Sequence, residues 1–226
     1  ALLKKFLNRV QYYLTTTDAT PPTSRQAAKD AWKNVLGSQK RDYKNEIIGE
    51  HNGLCGYTEL KLEGESYGSH IEHIKPRSRY PHLTFNCKNL IINALTGEDE
   101  QYYARNDLFG GCYKGDNYDE SLFLSCIEVD GNEYFNYLIN GEVEPKSSLT
   151  SIDRGKAWYT ITTLNLNSPV LVQKRRNHID SVSSDIDELL DDPCSLERYK
   201  RQVTEPNART GYYDFPFISA TLSLFQ

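Results

Sequence analysis

The sequence lacks the features that mark membrane, secreted and repeat proteins. Its 226 residues contain no apolar run near the roughly 20 residues of a membrane-spanning helix, and no secretory signal pattern opens it. No internal repeat or low-complexity segment is present, while 38% hydrophobic and 25% charged residues suit a globular protein. We therefore expect a cytoplasmic protein that makes no membrane contact.

Paired cysteine motifs are also absent. The five cysteines are widely spaced, none forms a C-x-x-C pair, and they stand at Cys55, Cys87, Cys112, Cys126 and Cys194. An odd number of scattered cysteines in a cytosolic chain predicts reduced thiols and excludes a disulfide framework.

Excess positive charge is lacking as well, since the net charge is −5. Nucleic-acid-binding proteins usually carry a basic surface, so the total charge argues against tight binding of a long nucleic acid without a partner. Two local clusters, Lys75 to Arg79 and Lys174 to Arg176, depart from this average. Each is either a solvated face or a local contact to phosphates.

The first quarter of the chain predicts a helical lead-in. Leu2–Leu14 has the pattern of an amphipathic element, and Thr15–Thr23 that of a linker. Ser24 can cap a following helix that Gly37 ends, and a second helix follows that Gly53 closes.

The middle of the chain predicts short strands. Extended runs cover His70–Ile74 and Asn89–Ile92, with a loop containing Pro76 between them. Three further runs with strand-like composition are Leu122–Val129, Tyr134–Ile139 and Glu142–Glu144, separated by the turn pairs Asp130–Gly131 and Asn140–Gly141.

The last third returns to helical spacing. One predicted helix stops at Asn165–Asn167, and Ser168 with Pro169 starts another that ends at Asp191–Pro193. The apolar tail Phe215–Phe225 belongs either in the core or against another subunit. Together the elements predict one composite α+β domain over residues 1–226.

One segment combines residues suited to phosphodiester hydrolysis. Glu72 directly precedes His73, and Pro76, which cannot donate to a β-ladder, predicts that the strand ends there. Imidazole can accept a proton from water at neutral pH, and a carboxylate is a hard ligand for Mg²⁺. Asn89, at the start of the next strand, can pin the intervening loop and orient the imidazole.

Each of these residues also has an ordinary structural explanation. A glutamate–histidine pair in a strand is commonly a surface pair, and a single asparagine commonly serves in a turn or cap. The ordered set favours function, and it comprises Cys55-Gly56-Tyr57, Glu72-His73 with Pro76, Asn89-Leu90 and Lys114-Gly115-Asp116.

That set resembles the HNH (His-Me finger) endonucleases, whose shared core is a ββα-metal fold. Within them it is most similar to the HNH subunits, called PtuB, of Septu-type and retron-associated anti-phage systems. The resemblance extends from about Trp32 to Arg176. It implies an α+β fold with the ββα-metal core over residues 54–120, a helical lead-in, an extra β-hairpin and a C-terminal helical region over 150–226.

The resemblance also implies roles for individual residues. His73 is the general base, Asn89 the central asparagine, and Glu72 a ligand of Mg²⁺ or Mn²⁺. The third ligand position falls near Gly111 or Cys112, so His70, Asn106 and Asp116 are candidate substitutes, and we predict a metal set of Glu72, Asn106 and Asp116.

The sequence departs from relatives that bind structural zinc through two C-x-x-C knuckles. Thr58 stands where the first knuckle has its second cysteine, and Cys112 has no near partner. Structural zinc normally requires four Cys or His ligands, so we expect that this site is lost. Clustering of Cys55, Cys112 and Cys126 stays open.

The implied function is metal-dependent hydrolysis of DNA or RNA within a defence complex. Phosphate contacts are predicted for Lys75, Arg77, Arg79 and Lys114. The implied partners are a PtuA-type ATPase and, in retron versions, a reverse transcriptase with its reverse-transcribed DNA. The alternative is a degenerate HNH fold that acts as a non-catalytic, partner-binding subunit.

Overall fold

The computed structural model describes residues 20–64 and 66–225. These residues form helices and two small sheets, which confirms the predicted α+β class. The helices are α1 Arg25–Asn34, α2 Gly37–Glu50, α3 Gly110–Lys114, α4 Gly131–Tyr134, α5 Ser151–Leu164, α6 Pro169–Leu189, α7 Pro193–Thr204 and α8 Ile218–Ser223. The strands are β1 Ser69–His73, β2 Leu90–Ala94, β3 Phe135–Tyr137 and β4 Val143–Pro145.

Short 3₁₀ turns connect several of these elements, at Pro81–Leu83, Cys87–Asn89, Asp99–Tyr102 and Arg105–Asp107. The predicted amphipathic element Leu2–Leu14 and the start of the linker lie outside the described residues. Within the described part of the chain, every helix is too short or too polar to cross a bilayer.

The two lead-in helices begin where local chemistry satisfies their free backbone amides. The Ser24 hydroxyl accepts a hydrogen bond from the Ala27 amide at 3.2 Å, as the predicted cap requires. The prediction that Gly37 ends the first helix is wrong, because α1 ends at Asn34 and Gly37 opens α2. Val35 causes the early turn: its backbone is extended and its side chain is buried.

Strands β1 and β2 form an antiparallel pair in which Ser69 lies opposite Ala94 and His73 opposite Leu90. All five residues of β2 are buried, because both faces of the strand are covered. Leu90 and Ile92 pack with the lead-in helices, whereas Ile91 faces the larger core. Helix α3 is fixed beside β2, since the Gly111 amide donates to Asn93 Oδ1 at 3.1 Å.

The strand predicted over Leu122–Val129 is wrong. This segment folds into turns, because its amides donate locally: Phe123 to the Asp119 carbonyl at 2.8 Å and Val129 to the Ser125 carbonyl at 3.0 Å. Asp130 then caps α4 through the Asn132 amide and makes no hairpin turn.

The second predicted hairpin is confirmed over a shorter length. Strands β3 and β4 pair antiparallel, and Gly141 supplies a left-handed turn between them with φ of +89°. The predicted ends of the next helices are also confirmed, since Asn165 is a left-handed C-cap and Ser168 caps α6. Helix α7, which Asp192 caps and Pro193 begins, was not among the predicted elements.

The apolar tail is buried within this chain. Phe217 and Ala220 lie in the main core with Ile179 of α6. The Glu59 carboxylate accepts from the Ser219 hydroxyl at 2.6 Å and from its amide at 2.9 Å. Of the two alternatives for the tail, the structure shows the first.

Gly141 sits where two constraints coincide. A Cβ on Gly141 would lie 2.3 Å from the Val172 carbonyl oxygen, whereas a Cβ on Gly211, which also has positive φ, would meet nothing within 4 Å. We expect Gly141→Ala to lower the free energy of unfolding by about 3 kcal/mol or more, and Gly211→Ala by only about 1 kcal/mol. Denaturant unfolding of both variants measures the difference, and equal losses would contradict the close approach at Gly141.

Candidate active site

His73 ends β1 as a buried imidazole with a defined tautomer. Its Nε2 lies 2.8 Å from the Thr84 carbonyl oxygen, which can only accept, so Nε2 carries the proton. The edge of the imidazole packs against Trp32 of α1, with 4.7 Å between ring centroids. Nδ1 keeps its lone pair, and no described residue donates a hydrogen bond to it.

Burial holds His73 in its neutral form. Desolvation and then the nearby Arg77 charge lower the pKa of His73 to about 3, against the smaller opposing effects of Thr84 and Glu72. The imidazole is therefore neutral across the physiological range, with the Nδ1 lone pair able to accept a second proton.

Asn89 fastens the loop between β1 and β2. Its Oδ1 accepts from the Lys75 amide at 2.7 Å, and its Nδ2 donates to the carbonyls of Lys75 at 3.0 Å and Leu83 at 3.2 Å. Asn89 thus pins the loop, but the hydrogen bond that orients the imidazole comes from Thr84. Asn89 acts on His73 through the backbone of that loop.

Glu72 lies on the other face of β1, because neighbouring side chains in a strand point in opposite directions. Its carboxylate contacts the Lys114 ammonium at 2.8 Å and the His70 Nε2 at 3.6 Å. Burial alone would raise the pKa of Glu72, yet His70 and Lys114 outweigh it and lower the pKa to about 2. For His70, burial by itself would lower the pKa. The contact with Glu72 and its negative charge outweigh burial, so the pKa of His70 is raised.

Lys114 lies in the interior, not on a nucleic-acid-binding surface. Its side chain is 1% exposed, and its ammonium donates to Glu72 Oε1 at 2.8 Å, the Gly115 carbonyl at 3.1 Å and the His73 carbonyl at 3.4 Å. An ammonium has three donors. All three are directed at protein oxygens, so none remains for a phosphate in this conformation.

The remaining predicted metal ligands lie elsewhere. The backbone carbonyl of Asn106 accepts from Asn165, and the Asp116 carboxylate faces Arg25 at 4.0 Å with 62% of its side chain exposed. Neither residue has a described contact with Glu72. Gly111, on the face of α3 toward Glu72, has no side chain, and a Cβ there would lie 2.8 Å from the Glu72 Cδ.

This set of donors does not fit a divalent ion. Glu72 is already paired with two cationic groups, and no three His, Cys, Asp or Glu side chains gather as a metal site among residues 20–64 and 66–225. A divalent ion about 4 Å from the Lys114 ammonium would meet a repulsion of roughly 8 kcal/mol at an effective dielectric constant near 20.

All five cysteines are free thiols, as expected. Cys55 is buried, and its sulfur accepts from the Ala94 amide at 3.2 Å. Its role in the described structure is to support β2.

A cationic cleft of about 230 Å³ opens beside Arg77, lined by Arg25, Lys29, Arg77, Ser78 and Asp116. The Arg77 guanidinium lies over Trp32, 5.3 Å from the ring centroid, and Trp32 also packs against His73, so the cleft and the imidazole share one aromatic neighbour. The Ser78 hydroxyl is shielded from solvent and has no hydrogen-bond partner in the described structure. We refer to this set as the cationic cleft.

Only Arg77 of the predicted phosphate-binding residues lines the cationic cleft. Lys75 pairs with Glu120, and Arg79 donates to the Tyr118 carbonyl at 2.6 Å. Sequence analysis missed Arg25 and Lys29. Their helical spacing of four places them on one face of α1, which is the signal that could have identified them.

The chain has a distant relative among known proteins. The chain is similar to a protein of Vibrio cholerae serotype O1 biovar El Tor named "Retron Vc95 putative HNH endonuclease", with 27% identity over 143 residues. The match covers 62% of this chain and 63% of the relative, so the chain spans less than two thirds of that protein's length. No protein-family model matches the sequence.

This similarity supports a relationship to the HNH endonucleases. The mixed fold, with two antiparallel strands followed by helix α3, is compatible with an HNH-type domain. The loss of the structural zinc site and the boundaries of the core at residues 54–120 stay predictions.

The pKa values of the two histidines of β1 are shifted in opposite directions. At pH 6 we expect His70 to be protonated, because its pKa is raised, and His73 to be neutral with the proton on Nε2, because its pKa is lowered to about 3. Ring ¹⁵N chemical shifts followed against pH measure both. In Glu72→Gln the upward shift of His70 should disappear, and a His73 that titrates near 6.5 would contradict the described burial.

Proposed function

We propose that this chain is an HNH-type nuclease subunit that hydrolyses phosphodiester bonds of nucleic acid in an anti-phage defence complex. The observation that carries the proposal is the neutral His73 imidazole, whose Nδ1 accepts no described hydrogen bond and whose neighbour Trp32 also contacts Arg77 of the cationic cleft. The distant similarity to the HNH endonuclease of retron Vc95 supports it.

In the proposed reaction, His73 is the general base. A water molecule at Nδ1 gives its proton to the imidazole while its oxygen attacks phosphorus, and the opposite P–O ester bond breaks. The leaving oxygen takes a proton from solvent. An anionic phosphate next to the imidazole raises the pKa of His73 from its low resting value, so the base becomes stronger once substrate is bound.

Arg77 is suited to bind the phosphate under attack or its neighbour. Its guanidinium lies over the Trp32 ring, 5.3 Å from the centroid, and its planar donors match phosphate geometry. Arg25, Lys29 and the unpaired Ser78 hydroxyl extend this binding surface along the cationic cleft. Three cations against the single carboxylate of Asp116 leave the cleft net positive, although the whole chain is net negative.

The small size of the cationic cleft explains why partners belong in the proposal. A net charge of −5 repels a long nucleic acid, so a partner must bring the substrate to the site. We propose a PtuA-type ATPase as that partner, with a retron reverse transcriptase and its reverse-transcribed DNA in the same complex. The name of the Vibrio cholerae relative places that relative in a retron.

A second candidate function follows from the features around Glu72. Gly111 in place of a helix ligand and the Lys114–Glu72 pair favour a degenerate fold that binds partners without cutting. The two functions differ in whether His73 is needed.

Replacement of His73 tests the proposed reaction. We expect His73→Ala in the complete complex to slow cleavage by about 10²–10⁴-fold, the usual contribution of a general base. End-labelled DNA and RNA substrates measure the rate and also identify the nucleic acid that is cut. His82→Ala is the matched control, because His82 is exposed on the same loop.

The outcome separates the two functions. Loss of cleavage and of phage defence in His73→Ala, but not in His82→Ala, supports the nuclease. Full defence in a folded His73→Ala complex would reject catalysis and favour the partner-binding subunit.

The cationic cleft makes a separate prediction about binding. Lys29→Gln should weaken nucleic-acid binding several-fold and reduce the salt dependence of the binding constant by about one phosphate contact. Lys33→Gln is the control, since Lys33 is exposed on α1 outside the cleft. Fluorescence anisotropy at several salt concentrations measures both, and equal effects would show that α1 attracts nucleic acid only through its general charge.

A further inference from the structure

The Lys114 ammonium occupies a cage of oxygen atoms. One carboxylate oxygen, from Glu72, and two backbone carbonyls, from His73 and Gly115, lie 2.8 to 3.4 Å from Nζ. Carboxylate and carbonyl oxygens are the ligands that hard divalent cations prefer. The Lys114 ammonium therefore occupies the position beside the Glu72 carboxylate.

Two features of α3 fit this arrangement together. Gly111 lets the helix approach Glu72 so closely that any side chain there would overlap the carboxylate. Asn93 holds α3 at this short distance, because its Oδ1 accepts a hydrogen bond from the Gly111 amide at 3.1 Å. The neighbouring Gly110 is equally close, since a Cβ there would lie 2.3 Å from the same oxygen. The position that could supply a second metal ligand is closed, and Lys114, three residues further along α3, reaches the same carboxylate.

We infer that the Lys114 ammonium replaces a divalent metal ion beside Glu72, so that cleavage by this site proceeds without a metal bound there. The inference rests on the proposed function. Lys114 is a positioning residue: it neutralises Glu72 and contacts the His73 carbonyl, which places a fixed positive charge behind the general base. Arg77 then provides the contact to the phosphate.

The electrostatic balance favours this arrangement. Glu72 has one negative charge and already faces Lys114 and His70, so the local charge is neutral or positive before any ion arrives. An added divalent ion would have to displace the ammonium into a protein interior that offers it no other described carboxylate partner. Glu72 and Lys114 therefore behave as one satisfied pair.

Direct metal binding tests the inference without relying on activity. The full chain, freed of metal with EDTA, is titrated with MnCl₂ while the electron paramagnetic resonance signal of free Mn²⁺ is recorded. We expect the protein to leave that signal unchanged at millimolar Mn²⁺. Saturable binding of one Mn²⁺ per chain that Glu72→Gln abolishes would overturn the inference.

A second measurement uses the complete complex, in which an ATPase partner would itself need Mg²⁺. The substrate contains a phosphorothioate with sulfur at one non-bridging oxygen of the scissile phosphate. A metal ion that contacts this oxygen gives a slow reaction in Mg²⁺ that Mn²⁺ restores, because Mn²⁺ accepts sulfur better. We expect no restoration with either stereoisomer, and restoration with one of them would overturn the inference.

Replacement of Lys114 tests its role beyond stability. We expect Lys114→Met to slow cleavage by about 10²-fold or more, the loss typical of one removed electrostatic group. Lys88→Met changes an exposed lysine next to Asn89 in the sequence and should retain the full rate. Circular dichroism shows whether each variant is folded at the assay temperature, and a folded Lys114→Met with an unchanged rate would overturn the inference.

A wild-type complex that cuts no nucleic acid contradicts the proposed function, while the Mn²⁺ titration still decides the inference.

Discussion

The Asn89 amide is the interaction on which the geometry of the site depends. It bonds the backbone at Lys75 in both directions and the backbone at Leu83, so the loop between β1 and β2 is held at both ends. That loop positions the Thr84 carbonyl, which in turn fixes the tautomer and direction of His73. A buried amide with three satisfied hydrogen bonds is costly to replace, since any truncation leaves backbone groups unpaired.

Strand alternation gives one short sequence two electrostatic environments. His73 faces Trp32 and the pinned loop, where burial keeps it neutral, whereas Glu72 faces α3, where Lys114 and His70 keep it ionised. Lys114 connects the two faces, because its ammonium contacts the Glu72 carboxylate and the His73 carbonyl. Two neighbouring residues can thus serve one site without pointing the same way.

Local signals in the sequence predicted the frame of this fold better than its interior. Caps at Ser24, Asn165 and Ser168 act over a few residues, so their effect is readable along the chain. The predicted strand over Leu122–Val129 is wrong because turns bury only Phe123 and Leu124 of its apolar residues and leave Leu122 and Ile127 exposed, and hydrophobic spacing alone does not distinguish such turns from a strand. The surface position predicted for Lys114 is wrong because its burial depends on Glu72, which is distant in the sequence. The cationic cleft could not be predicted because it forms only where α1 packs beside the loop that follows β1.

Among the described residues, two buried cations, Arg175 and Lys114, join distant segments. Arg175 of α6 donates to the Gly141 and Leu166 carbonyls, which attaches the β3–β4 turn to the C-terminal helices, and Lys114 attaches α3 to β1. A buried charge is costly unless it is paired and hydrogen-bonded. Lys114 is paired with Glu72, and backbone carbonyls accept from both cations, although the buried Arg175 Nε has no described partner. Basic residues committed to the interior cannot attract nucleic acid at the surface. In the proposed function, nucleic-acid binding therefore depends on the few cations of the cleft and on a partner.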